Sequence, residues 1–314
     1  MPVRLQTAWR DTPPVGEGMP VTSRDTALAV LVTIVWGMNF VVIEWGLTGV
    51  PPLVFVALRF LLVVFPAVFF VRRPAGRWRD IALVGALMSV GQFGFLYSSL
   101  AAGMPPGLAS LVLQVQAAFT AILGSLVLRE HPTAAQRAGV VLGLAGLGII
   151  AVGRGGSVPL IGLSLCVAAA ACWAAGNIAA RRLRGVNGLS LTVWSGLVVP
   201  VPLLALATAI DGPSVVAHAL THLSLANWAS TAYTAVLASL FGYGVWNSLL
   251  SRHPAAQVAP FSLLVPLVGI TTAFLVRGER PTIWSIVGGA LLLTGVAVTV
   301  FGPRFGRTVA PLAH

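Results

Sequence analysis

The chain of 314 residues has no lysine, eight acidic residues and two cysteines, and only 9% of its residues are charged. Without lysine there is no Walker A side chain for a nucleotide phosphate and no amine for a Schiff base. A P-loop ATPase within this chain, bound retinal and pyridoxal phosphate are therefore excluded. Asp11, Asp25, Asp80 and Asp211 fall in tails or at the ends of apolar stretches, and neither G-x-S-x-G nor H-E-x-x-H occurs. His131, His218, His222, His253 and His314 also stand outside those stretches. Catalysis needs acids, bases, nucleophiles or metal ligands gathered at one pocket, so the sequence argues against a membrane-embedded enzyme, and no cofactor or metal is expected. Cys166 and Cys172, six residues apart on one expected helix, point roughly 240° away from each other and cannot form a local bridge, so both are read as small packing residues. His218 and His222 have the i, i+4 spacing of a zinc pair but lack a third ligand.

What the chain does contain is apolar surface: 57% hydrophobic residues and a mean hydropathy of +0.92. A soluble domain could not hydrate that composition, whereas a chain in lipid requires it. Ten apolar stretches follow one another, over 26–46, 52–71, 81–101, 106–128, 136–153, 160–180, 190–210, 229–250, 256–276 and 283–302. A helix needs about 20 apolar residues to cross the hydrocarbon, where unpaired backbone groups cost several kcal/mol each. The expected fold is an all-α membrane protein of ten transmembrane helices. Residues 1–24 and 303–314 read as tails, the first rich in Pro and Gly and lacking the apolar core of a signal peptide.

All nineteen basic residues are arginine, and their distribution reports orientation rather than nucleic-acid binding. Arg4, Arg10, Arg24, Arg72, Arg73, Arg77, Arg79, Arg129, Arg137, Arg181, Arg182, Arg184, Arg252, Arg304 and Arg307 share one side; Arg154, Arg277 and Arg280 take the other. Positive loops stay in the cytoplasm, so both termini are expected there.

The chain also repeats itself. A shift of 149 lays Leu100, Pro105, Glu130, Pro132 and Thr133 over Leu249, Pro254, Glu279, Pro281 and Thr282, and Gly139, Gly146 and Gly153 over Gly288, Gly295 and Gly302. Trp36 and Asn39 echo Trp173 and Asn177 at a shift of 137 or 138. Two five-helix units are expected, over 25–153 and 157–302. Five is odd, so the second unit enters from the opposite face, and the fold class becomes two inverted five-helix repeats with a shared site near the midplane and alternating access. The glycines form a seam for close helix pairing, within one chain or across a homodimer.

The runs WGMNFVVIEWGL at 36–47, PPLVFVALRF at 51–60 and GMPPGLASLVLQVQAAFTAILG at 103–124, with the E-x-P boundaries after the fourth and ninth stretches, resemble the EamA family of the drug/metabolite transporter superfamily. AACWAAGNIAARRL at 170–183, YGVWNSLLSRH at 243–253 and VAPFSLLVPLVGI at 258–270 narrow the resemblance to bacterial exporters of O-acetylserine and cysteine. The resemblance covers residues 25–302 and implies ten helices, cytoplasmic termini and export of amino-acid metabolites across a bacterial inner membrane. Glu44 departs from the pattern.

Polar residues inside the stretches are the candidate site. Arg59 lies about seven residues into the second stretch, a depth that costs a few kcal/mol unless the charge snorkels or is compensated. A clamp to Glu44 is the structural reading; attraction of a substrate carboxylate is the functional one. Trp36 with Asn39, and Trp173 with Asn177, supply an indole beside an amide in each half, which suits a zwitterion as well as plain interhelical bonding. Gln114 and Gln116, about 200° apart on a regular helix, cannot both face one cavity unless the helix changes pitch. Gln92, Tyr243, Trp246 and Asn247 complete the set, with Tyr97 over Trp246 in the repeat. Pro260 and Pro266 mark a bend or opening in the ninth stretch. With Arg59 as the one cation in a span, a phosphorylated sugar or nucleotide fits poorly and a small neutral or zwitterionic metabolite fits better. Glu44 is also the one carboxylate placed to carry a coupling proton.

Overall fold

A computed structural model describes residues 22–153, 158–183, 186–253 and 255–305, and among them there is no strand. The helices are α1 (Ser23–Gly46), α2 (Pro52–Val64), α3 (Trp78–Ala101), α4 (Pro106–Leu128), α5 (Ala134–Gly153), α6 (Leu160–Ala180), α7 (Gly188–Gly196), α8 (Pro200–Asp211), α9 (Pro213–Thr221), α10 (residues 225–252), α11 (Ala259–Arg277) and α12 (Ile283–Phe305). Eight are long and apolar enough to cross a membrane: α1, α2 with the 3₁₀ turn Ala67–Phe69 beyond it, α3 to α6, α11 and α12. The pair α7 and α8, bent by 44° where Pro200 removes a backbone donor, makes a ninth if counted as one span. α10, the eighth expected crossing, is not among them. It buries Asn227, Thr231, Thr234 and Ser239, so these polar side chains face protein rather than lipid. The expected N-terminal tail lies outside the described residues except for Thr22, Ser23 and Arg24, which already start α1. At the other end α12 continues to Phe305, and residues 306–314 lie outside the described residues.

Local chemistry explains the helix starts. The Thr22 hydroxyl accepts the Asp25 N–H at 3.1 Å, and Pro52 and Pro106 occupy first-turn positions where no N–H is needed. Two corners repeat in detail at the 149-residue shift. Arg129 and Gly278 both take left-handed backbone, with φ of 55° and 66°. The following glutamate N–H then returns to a carbonyl six residues back, Glu130 to Gly124 at 3.3 Å and Glu279 to Ala273 at 3.2 Å. Thr133 and Thr282 cap the next helices by accepting the Gln136 and Ser285 N–H groups at 3.2 and 3.1 Å. Departures from α-helix fall in the same register. A π segment occupies Ala86–Gly91 in α3 and Tyr233–Phe241 in α10, and 3₁₀ turns occupy Leu113–Val115 in α4 and Ala259–Leu263 ahead of Pro266.

Packing interlocks the two halves. α1 lies against α10 and α11, α6 lies against α3 and α4, α2 against α8, and α5 against α12. Glycines permit these approaches: a Cβ at Gly146 would fall 2.5 Å from the Gly288 carbonyl oxygen and 2.6 Å from the Leu292 nitrogen. The glycine seam therefore joins α5 to α12 within one chain. Large apolar side chains such as Phe69, Phe70, Val152 and Leu225 project outward, as lipid contact demands. Because overpacking a close seam costs roughly 1–3 kcal/mol or more, Gly146→Leu should lower the melting temperature and yield of the detergent-solubilised protein. Gly148→Leu, on the same helix with no neighbour within 4 Å, should leave both unchanged.

Candidate functional site

A cavity of about 370 Å³ opens between α4, α6, the 130–136 connection and α12. The 3₁₀ turn at Leu113–Val115 changes the pitch just before Gln116, which brings Gln116 to the cavity wall and leaves Gln114 buried. On the facing helix, the Asn177 Nδ2 donates to Gln116 Oε1 at 3.1 Å and to Thr120 Oγ1 at 3.3 Å, and Thr120 donates on to Gln116 Oε1 at 3.3 Å. The mouth carries an ion pair, with Arg181 Nη1 3.1 Å from both oxygens of Glu130, and His131 and Gln136 line the rim. Amides inside and one charge of each sign at the mouth form a surface complementary to a small zwitterion.

A second group of expected site residues meets elsewhere. The Trp36 ring packs against Tyr243 at 5.4 Å and Trp246 at 5.3 Å, centroid to centroid, and its Nε1 donates to the Ala238 carbonyl at 2.8 Å. The π segment of α10 exposes that carbonyl to the indole. Asn39, one turn along α1, is buried, and its Oδ1 has no hydrogen-bond partner among the described residues. Trp173 packs on the apolar core, Gln92 is buried beside the α3 π segment, and Asn247 lies against Gly188 at the start of α7. The indole and amide of each half therefore do not converge on one pocket: Trp36 joins α10, while Asn177 joins α4.

Arg59 neither pairs with Glu44 nor snorkels. It is buried, and it contacts no carboxylate among the described residues. Its Nε and Nη2 donate to Ser239 Oγ at 3.2 and 2.8 Å, its Nη1 donates to Tyr97 at 3.0 Å, and its guanidinium lies 4.0 Å from the Phe93 ring centre. The π segment makes this possible, because Ser239 spends its proton on the Thr234 carbonyl five residues back at 2.8 Å and keeps both lone pairs for Arg59. Neutral oxygens and an aromatic face thus hold the charge.

A model of the EamA-like transporter family matches the chain twice, over residues 26–152 and 160–301. The chain belongs to this family. It is 40% identical over 295 residues to a protein of Escherichia coli K12 named "Probable amino-acid metabolite efflux pump", covering 92% of this chain and 99% of that protein. It is 29% identical over 277 residues to the "Probable terminal-alkyne amino-acid exporter" of Streptantibioticus cattleyicolor, covering 85% and 90%. A solved structure titled "Crystal structure of protein" superposes with a TM-score of 0.60 at 19% identity, covering 92% of this chain and 99% of that one, a likeness of fold alone.

In this EamA-like transporter the charged ends of the helices make ties that the sequence left unassigned. Asp25 is buried 2.9 Å from Arg252 and 3.0 Å from His253, joining α1 to the end of α10. At the opposite end Arg277 Nη2 donates to Glu44 Oε1 at 2.9 Å, which removes Glu44 from Arg59 and accounts for it as half of an ion pair. The Glu279 carboxylate crosses to α4 and accepts the N–H groups of Gly107 at 3.0 Å and Leu108 at 3.2 Å, so it caps a helix of the other half rather than its own surface. A second cavity of about 430 Å³ beside it is walled mostly by apolar side chains, including Leu108, Leu111, Ile270 and Leu293.

Burial pushes the Glu279 carboxyl above the ordinary carboxylate range, the Gly107 and Leu108 N–H groups pull it back, and the nearby Glu44 raises it further. A group whose pKa is raised by folding stabilises fully below its unfolded pKa, and that contribution is lost as pH rises through the folded value. Glu279→Gln cannot ionise. Melting temperature against pH, measured from mild acid to neutrality, should therefore fall less steeply in that variant than in the parent.

Proposed function

We propose that this protein exports small zwitterionic amino-acid metabolites across a bacterial inner membrane by alternating access between two inverted five-helix units. The observation that carries the reading is the amide-lined cavity with Glu130 and Arg181 at its mouth. A zwitterion can exchange its hydration for Gln116, Thr120 and Asn177 while its two charges find counterparts. A phosphorylated solute would meet a single arginine at that mouth, since Arg59 is already engaged by neutral partners deep in the bundle.

The paired corners at Arg129 and Gly278, the paired π segments and the twofold match of the family model support a duplicated unit of ten crossings, with α7 and α8 together as the seventh and α10 as the eighth. The arginine distribution supports cytoplasmic termini. On that orientation the cavity lined by Gln116 and Asn177 opens toward the cytoplasm, the side from which an exporter loads. The relatives named for amino-acid metabolite efflux and amino-acid export support the solute class; O-acetylserine and cysteine are the leading candidates on the sequence resemblance alone.

The test is flux through purified protein in lipid vesicles across an amino-acid panel. Asn177→Ala and Gln116→Ala should each cut flux of the preferred solute about two- to tenfold, the value of one hydrogen bond, with unchanged protein abundance. Flux that is absent, or indifferent to the solute, would overturn the assignment.

A further inference from the structure

The two repeated corners place Glu130 and Glu279 in the same local geometry at opposite ends of the bundle, yet their carboxylates do different things. Glu279 crosses to the first turn of α4 and caps Gly107 and Leu108. Glu130 stays on its own side, held by Arg181, both side chains about half exposed at 55% and 48%. The 149-residue register that lays Glu130 over Glu279 also lays Gly107 and Leu108 over Ala256 and Gln257, in the turn Ala255–Val258 that leads into α11. Glu130 thus has an equivalent destination at its own end.

The difference lies in what each glutamate meets on the first helix of the opposite half. Arg181 caps the end of α6, and Glu44 lies in the last turn of α1, the first helix of the other half. Arg181 attracts Glu130. Glu44 repels Glu279 and is itself occupied by Arg277, so nothing on α1 holds Glu279 back from α4. A half-exposed ion pair is weakly held and readily displaced. First-turn N–H groups without intrahelical acceptors form a charge-assisted site for a carboxylate. Exchanging one cap for its mirror counterpart leaves the count of such bonds unchanged, so a modest bias from bound solute can tip the equilibrium.

Resting on the exporter reading with its inverted halves, we propose that Glu130 is a latch released by substrate. The carboxylate of the entering zwitterion takes Arg181, the freed Glu130 crosses to cap the N–H groups of Ala256 and Gln257, and the cavity closes behind the solute while Glu279 lets go of Gly107 and Leu108 at the other end. Selectivity follows from the same step: a cavity ligand without a carboxylate binds but does not trigger closure.

The test uses full-length protein in lipid vesicles on a Cys166→Ala, Cys172→Ala background, with single reporters Ser125→Cys in the cavity and Ser110→Cys, buried on α4 near the Glu279 cap. Alkylation by a water-soluble maleimide is timed with O-acetyl-L-serine and with its analogue lacking the carboxylate, 2-acetoxyethylamine. In the parent, O-acetyl-L-serine should slow labelling at Ser125→Cys and speed it at Ser110→Cys, each at least about threefold, and the analogue should leave Ser110→Cys unchanged. Adding Arg181→Gln should produce the fast Ser110→Cys rate with no ligand present, and Arg181→Lys should restore the parent's rate. Adding Glu130→Gln should abolish the ligand response at Ser110→Cys while binding, followed by equilibrium dialysis, persists. Parent-like rates in ligand-free Arg181→Gln, or a retained ligand response in Glu130→Gln, would overturn the latch. The ligand-free Arg181→Gln comparison decides it even if no zwitterion proves to be transported, which is the separate failure of the exporter reading.

Discussion

Hydrocarbon offers no hydrogen bond to a peptide group, and the architecture follows from that constraint. Each crossing must satisfy its own backbone, so helix is the default, and departures are tolerated only where protein or a cavity covers them. In this chain the departures are few and placed. The π segment of α10 presents the Ala238 carbonyl to Trp36 and turns Ser239 toward Arg59; the 3₁₀ turn of α4 sets Gln116 facing Asn177. Irregular backbone and polar chemistry coincide because each needs the same shelter.

Charge obeys the same economy. Arg59 survives in the interior through a shared hydroxyl, a phenol and an aromatic face, so it stiffens the junction of α2, α3 and α10 without needing a buried carboxylate. Among the described residues the remaining charges sit at helix ends or in the connections between helices, where water or a partner is within reach. There they tie helices across the halves: Asp25 to Arg252 and His253 at one end, Glu44 to Arg277 and Glu279 to α4 at the other. Glu130 and Arg181 pair at the cavity mouth, half in water, where a solute can compete for either.

Much of this was legible before any coordinates. Apolar run lengths marked eight helices able to cross a membrane among the described residues, and the aligned Glu, Pro and Thr residues after the fourth and ninth stretches marked corners that fold alike. The glycine register foretold a close seam, and the seam pairs α5 with α12. Pairings between distant residues were not legible. Arg59 and Glu44 looked like neighbours because one short turn separates their helices, yet Glu44 stands at the end of α1 beside Arg277 and Arg59 lies deep beside Ser239. Glu130 and Arg181 follow different stretches and nothing in the sequence pairs them, although the repeat of Glu130 at Glu279 was the available signal that both corners matter.

Composition and periodicity by themselves determined that the chain lives in lipid, that it is helical and that its second part copies its first, because hydration and backbone satisfaction act on every residue regardless of its distant neighbours. Tertiary structure alone decided which polar groups meet. Helix rotation, a single π or 3₁₀ turn and the exchange of α1 and α6 between the halves choose each side chain's partner, and a change of pitch over a few residues is enough to carry a glutamine from the core to the cavity wall.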